Sequence, residues 1–127
     1  PGHSRDQRTS NWHAIMDRFG TNEMDWSGLE HIRSSRWMRQ SHLFGVPFYY
    51  IEYAIAQLGA LQVWRNHRKD PDGAIQNYRA GLALGNTRSL PELYAGAGIK
   101  FDFSQEMLED LIGMVREEID SLESSSC

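Results

Sequence analysis

The sequence of 127 residues contains one cysteine, and it is the last residue, Cys127. No intramolecular disulfide can form, so we expect a reducing, cytoplasmic compartment. The chain also lacks any block of like charge, since its 13 basic and 17 acidic residues are dispersed and leave a net charge of -4. Nucleic-acid binding requires a clustered basic surface, and we therefore expect no nucleic-acid partner.

The sequence has no uninterrupted apolar run long enough for a membrane span. Its most apolar stretch, residues 47–64, contains Glu52, Gln57, Gln62 and three tyrosines, which argue against a membrane span. The first residues also lack the apolar core of a secretory signal. We therefore expect no membrane association and interpret residues 47–64 as a helix inside a soluble protein.

Capping residues predict an all-α fold of five to six helices, and no apolar/polar alternation indicates a strand. Gly20 and Gly85 are placed to end helices in the left-handed conformation. The length suits one domain, so residues 1–127 are predicted to form a single helical domain with a disordered tail at residues 124–127. The predicted helix starts are Ser4, Ser27 with Glu30 as a capping box, Pro47, Asp70–Pro71, Ser89 and Ser104.

Two helices are expected to form the core. The helix from Phe48 to Asn66 is apolar nearly all round and should be the buried centre, with the helix after Ser104 packed on it. The expected core stripe of that last helix is Leu108, Leu111, Ile112, Val115, Ile119 and Leu122. The helix after Asp70 is expected to turn inward the side chains Ile75, Tyr78 and Leu82.

No metal-binding or nucleophile motif is present. None of the five histidines begins a His-Glu-x-x-His sequence, and there is no phosphate-binding loop or G-x-S-x-G turn. His13 and Asp17 lie four residues apart on one predicted helix, but such a pair is more often an ion pair or part of a solvated face than a metal site. We therefore predict no metal ligands in this chain.

One segment combines residues suited to catalysis. His42 lies at a predicted helix end and is followed by a break and a helix carrying Tyr49, Tyr50 and Tyr53. Because this helix is predicted to begin at Pro47, we expect Tyr49 and Tyr53 to share a face and His42 to fold back toward them. Such converging donors can hold a peptide carbonyl and stabilise an oxyanion. The alternative is that these aromatic side chains belong to the core.

The segment from His42 to Ala60 resembles the C-terminal portion of oligoendopeptidase F-type zinc metallopeptidases, within the thimet oligopeptidase-like family. In these proteins a histidine precedes Phe-Tyr, and Tyr-Ala follows. The His-Glu-x-x-His helix and the glutamate that completes the zinc site lie upstream of this portion, outside the present sequence. The resemblance extends to about Leu122 and includes Pro1–Gly20, Asp25–Leu29, Trp37–Gln40 and Leu84–Leu93.

The resemblance implies a metallopeptidase that hydrolyses short peptides, with zinc held by the upstream catalytic part of the same protein. By position, His42 and Tyr53 match the family's residues at the scissile carbonyl, and Tyr49 matches the Phe-Tyr position, where Tyr50 can exchange roles with it. The isolated chain is predicted to be inactive and to expose apolar surface that favours self-association. A non-catalytic helical interaction module and a truncated pseudoenzyme remain alternatives.

Overall fold

The computed structural model describes residues 2–21 and 23–125. These residues form helices, turns and loops without a strand, so the predicted all-α class is confirmed. In the described part of the chain, no helix combines the length and apolarity needed to cross a membrane. Within the described residues, the seven α-helices are α1 (Arg5–Phe19), α2 (Glu30–Ser35), α3 (Ser41–Gly45), α4 (Ile51–Lys69), α5 (Pro71–Ala83), α6 (Leu90–Gly96) and α7 (Gln105–Ser125), with a 3₁₀ helix at Arg36–Arg39.

The chain divides into two compact units. The N-terminal unit is Pro1–Tyr50 and the C-terminal unit is Ile51–Cys127. The former contains α1 to α3 and the 3₁₀ helix, and the latter contains α4 to α7. The single domain over residues 1–127 stays a prediction.

Helix α1 begins as its sequence predicts. Ser4 Oγ accepts a hydrogen bond from the Gln7 backbone N–H at 3.2 Å, and Gln7 Oε1 accepts one from the Ser4 N–H at 2.8 Å. This reciprocal pair satisfies two amides that have no partner within the helix. The prediction that Gly20 is left-handed is wrong, because its φ of -78° and ψ of 160° are extended. Its N–H donates to the Met16 carbonyl at 2.7 Å.

The predicted helix after Ser27 is divided into α2, the 3₁₀ helix and α3. Asp25 Oδ1 accepts hydrogen bonds from both the Ser27 N–H and its Oγ, at 2.9 and 2.6 Å, so Ser27 does not cap α2. Glu30 instead accepts from the Gly28 N–H at 3.1 Å. The predicted capping box is therefore wrong, because a neighbouring carboxylate competes for the serine. Further along, Gln40 leaves the helical region with ψ 80° and separates α3.

Helix α4 begins at Ile51 and not at Pro47. The Tyr49 N–H donates to the Val46 carbonyl at 3.1 Å, and Phe48 has a φ of +67°. Proline at the second position and a positive φ at the third are the features of a type II turn. Proline suits this turn as well as it suits a first helical turn, which explains the wrong start.

The core of the C-terminal unit lies between α4 and α7. Met107, Leu111 and Met114 are buried, and Leu58, Leu61 and Trp64 of α4 pack against them. The predicted stripe on α7 is correct at Leu111, which is fully buried, and at Val115, which packs against the buried cluster, but its other side is exposed. Because the two methionines take part in the core, the buried face is rotated away from the predicted one. The wrongly predicted side chains are Ile112, Ile119 and Leu122.

Only the second half of α4 is a buried centre, so the prediction for Phe48 to Asn66 is wrong at its start. Phe48 is 96% exposed, whereas Gly59 and Gln62 are buried. The Gln62 amide exchanges two hydrogen bonds with the backbone of Lys100, each 2.9 Å long. Such pairing satisfies a polar side chain that is 1% exposed and fastens the loop before α7 to α4.

Helix α5 buries small residues instead of the predicted large ones. Its N-terminus is capped as expected, because Asp70 Oδ1 accepts from the Gly73 N–H at 3.1 Å. Ala74 and Gly81 are buried, and a Cβ added to Gly81 would lie 2.7 Å from the Ala97 Cβ. An open apolar groove of about 620 Å³ lies beside α4, α5 and α6. The predicted inward side chains are about half exposed: Ile75, Tyr78 and Leu82.

The C-terminal helix extends further than predicted. Ser124 and Ser125 belong to α7, and their hydroxyls donate to the Ser121 carbonyl at 2.9 and 2.8 Å. The predicted disordered tail is therefore wrong for these two residues, because the serine hydroxyls find acceptors within the helix. The rest of the predicted tail, Ser126 and Cys127, lies outside the described residues.

Candidate functional site

Three of the predicted site residues form an aromatic cluster in the N-terminal unit. His42 lies in α3 and is half-buried. The Tyr49 ring is parallel to the imidazole, with 5.6 Å between centroids and 6° between planes. The Tyr50 ring meets the imidazole edge-on, at 5.3 Å and 81°. Both geometries are favoured pairings of π systems, so the imidazole is held by a ring on each of two sides.

The local backbone explains why these rings meet. Helix α3 ends with the Val46 N–H donating to the His42 carbonyl at 3.2 Å. The turn at Pro47 and Phe48 then reverses the chain, so Tyr49 returns to the imidazole. Phe48 adopts the left-handed region, which is strained for a residue with a side chain and marks positions that the surrounding structure enforces.

Tyr50 has a second anchor, at the residue that precedes α3. Its hydroxyl donates a hydrogen bond to Gln40 Oε1 at 3.0 Å. Sequence reasoning missed Gln40 as a site residue, although it lies two positions before His42. Tyr49 and Tyr50 are 42% and 48% exposed, so the cluster is accessible to a ligand.

Tyr53 belongs to the C-terminal unit. It lies in the first turn of α4 and is 55% exposed. The expectation that Tyr49 and Tyr53 project from one helix face is wrong, because Tyr49 precedes the helix by two residues and lies in a turn. The spacing argument assumed a helix that begins at Pro47.

The described residues do not fit a metal site. In residues 2–21 and 23–125, no three His, Cys, Asp or Glu side chains are grouped as metal ligands. Asp17, which lies four residues after His13, forms an ion pair with Arg33 at 2.6 Å. A catalytic zinc takes three protein ligands and keeps a fourth position open. No catalytic step through zinc is therefore derived from these side chains.

Comparison with known families identifies the chain. Residues 3–112 match the model described as Peptidase family M3, and the match includes the whole His42–Tyr53 segment. The chain belongs to this family, whose members are in general zinc-dependent. No curated protein and no solved structure matches the chain. The thimet oligopeptidase-like family is thus confirmed, and the oligoendopeptidase F type stays a prediction.

Proposed function

We propose that the chain is the substrate-binding part of a cytoplasmic, zinc-dependent oligoendopeptidase that hydrolyses short peptides. The zinc ligands would lie in an upstream catalytic part of the same protein. The packing of His42 against Tyr49 and Tyr50, inside the segment that matches the family, is the observation that supports this proposal most directly.

The proposed chemistry uses an imidazole that its neighbouring rings orient before the substrate binds. An imidazole N–H of His42 and the hydroxyl of Tyr53 would donate to the scissile carbonyl, with Tyr49 as the neighbouring donor. As the carbonyl carbon becomes tetrahedral, negative charge grows on its oxygen, and donors already in position stabilise it without reorganisation. The parallel stack with Tyr49 limits rotation of the imidazole. Tyr50, whose hydroxyl donates to Gln40, is assigned a positioning role.

The proposal predicts that the 127-residue chain binds a short peptide through His42. In an NMR titration with an unlabelled pentapeptide, we expect saturable shifts of the His42 ring signals, with weaker binding in the Tyr49→Phe variant. His67 of α4 provides an internal control whose signals should not move. A titration that leaves the His42 signals unchanged at saturating peptide would contradict the proposal.

The proposal also places the metal ligands outside this chain, so that the chain alone should be inactive. Elemental analysis of the purified chain should find far less than one zinc per molecule, and a fluorogenic peptide should remain uncleaved. Stoichiometric zinc, or turnover that survives purification, would show that the ligands are here and overturn this part of the proposal.

A second candidate function is a helical protein-interaction module, and the apolar groove beside α5 favours it. A contiguous exposed apolar surface of this kind is typical of an interaction site. Leu82 lines the groove and is 61% exposed. If the groove mediates self-association, sedimentation should show a concentration-dependent dimer that Leu82→Gln weakens, and a monomer at every concentration would exclude that role.

A further inference from the structure

A second pocket lies entirely within the N-terminal unit, between α1, the 3₁₀ helix and α3. Its volume is about 290 Å³, and its walls include the rings of Trp12, Trp37 and Phe44. The Trp37 and Phe44 rings are tilted by 37° with 6.0 Å between centroids. We call this site the aromatic pocket. An apolar cavity of about 150 Å³ already holds a benzene molecule, so the aromatic pocket has room for an aromatic side chain.

Trp12, which lines the pocket, has a polar atom without an acceptor among the described residues. The Trp12 indole Nε1 is shielded from solvent and has no hydrogen-bond partner among the described residues. Trp37, by contrast, donates through its Nε1 to Thr9 Oγ1 at 3.4 Å. A buried donor without an acceptor is costly and rare in folded proteins. A ligand whose entry turns the Trp12 ring could supply the missing acceptor.

The rim of the pocket carries a fixed positive charge. The Arg8 Nε and Nη2 atoms both donate to the His3 carbonyl, at 3.1 and 2.9 Å, and the guanidinium lies 6.0 Å from the Trp37 ring centroid. None of the ion pairs within the described ranges involves Arg8. A guanidinium held in this way is complementary to a carboxylate.

We propose that the aromatic pocket binds the C-terminal aromatic residue of a peptide, with the ring between the indoles and the α-carboxylate paired with Arg8. The choice of a peptide as the ligand rests on the proposed peptidase function. Helix α3 connects the two sites, because Leu43 and Phe44 line the pocket and His42 precedes them.

The test measures binding to the 127-residue chain by the indole N–H signals of its four tryptophans, assigned by single Trp→Phe variants. N-acetylphenylalanine should give saturable shifts of Trp12 and Trp37 while Trp64 stays unchanged. N-acetylphenylalaninamide, which lacks the charge, should bind about fivefold more weakly, because an exposed ion pair is lost. N-acetylglycine, which lacks the ring, should give no saturable shift.

Two matched variants separate charge at the pocket from charge elsewhere on α1. Arg8→Gln should abolish the preference for the acid over the amide, whereas Arg5→Gln, on the same exposed helix, should retain it. Equal affinity of the native chain for acid and amide would overturn the proposal, as would equal shifts of all four indoles. The titration involves no turnover, so its failure leaves the peptidase assignment standing, and a failed peptidase assay leaves the pocket result standing.

Discussion

The two compact units differ in what holds their side chains in place. In the C-terminal unit, Leu111 is fully buried and Gln62 nearly so, within a core between helices. In the N-terminal unit, no described residue is buried, and the contacts include stacked rings, cations over rings, an ion pair and tight turns. Apolar burial is the main source of stability, so the unit that carries His42 should open more readily than the unit that carries the core.

The largest expected effect comes from breaking the core. Leu111→Ala removes a fully buried side chain and should destabilise the C-terminal unit by about 2–5 kcal/mol, through lost burial and the cavity left behind. Denaturant unfolding measures this loss. The matched variant Leu122→Ala, on the exposed side of α7, should cost less than about 1 kcal/mol. If both substitutions cost the same, the core has been placed wrongly.

The next effect should appear in catalysis and not in stability. In the enzyme that contains both this chain and its proposed catalytic part, Tyr53→Phe should lower kcat by about two to three orders of magnitude, because one donor to the oxyanion is lost. KM should change far less than kcat, because the lost donor acts mainly in the transition state. The melting temperature should change little, since Tyr53 is 55% exposed. Tyr78→Phe serves as the control. A folded Tyr53→Phe enzyme with unchanged kcat would refute the assignment.

A smaller effect should come from the buried edge of the apolar groove. The Tyr94 hydroxyl donates to the Ile55 carbonyl at 2.8 Å, and burial raises the pKa of Tyr94. Tyr94→Phe should therefore cost about 1 kcal/mol near neutral pH. Because the folded-state pKa is raised, this contribution is complete below the unfolded pKa of about 10 and is lost as pH rises through the folded pKa. The free energies of unfolding of the native chain and of Tyr94→Phe, measured between pH 7 and pH 11, should therefore converge as the pH rises.

The smallest effect should sharpen the description of the N-terminal unit. Phe48 is 96% exposed with a φ of +67°, so Phe48→Gly removes strain and almost no packing. After the backbone entropy of glycine is subtracted, we expect a gain of about 0.5–1 kcal/mol. Phe48→Ala keeps the Cβ and should show no gain. A loss of stability in the glycine variant would mean that the Phe48 ring has a packing role.

The sequence predicted helix starts that depend only on neighbouring residues. Ser4, Asp70 and Ser104 each accept from a backbone N–H three residues later, as their spacing indicates. The predicted helix start at Ser27 was wrong because Asp25 competes for the same hydroxyl. The predicted helix start at Pro47 was wrong because a proline can begin a helix or occupy a turn. Short-range spacing does not distinguish these possibilities.

Which face of a helix is buried was harder to predict, because packing decides it. The apolar periodicity of α7 allowed two neighbouring stripes, and contact with Leu58 and Leu61 selects the one with Met107 and Met114. On α5, the close approach of Gly81 to Ala97 decides that small residues are buried. Contacts between segments distant in sequence are not visible in a local pattern.

Part of the candidate site was predictable because its residues are close in sequence. His42 and Tyr49 are close in sequence and meet as expected, although through a turn and not along a helix. The anchor of Tyr50 on Gln40 and the aromatic pocket around Trp12 and Trp37 depend on how α1, the 3₁₀ helix and α3 assemble. No spacing rule in the sequence identifies that assembly.

The central claim is that His42 and its neighbouring tyrosines hold a peptide carbonyl, and the carbonyl itself can report this. A pentapeptide labelled with ¹³C at one carbonyl, with the position varied along a set, is added to saturation. The account predicts a downfield shift of one bound carbonyl, reduced in His42→Ala and in Tyr49→Phe but unchanged in His67→Gln. If the peptide binds and its carbonyl signals are the same with the native chain and with His42→Ala, this claim is contradicted.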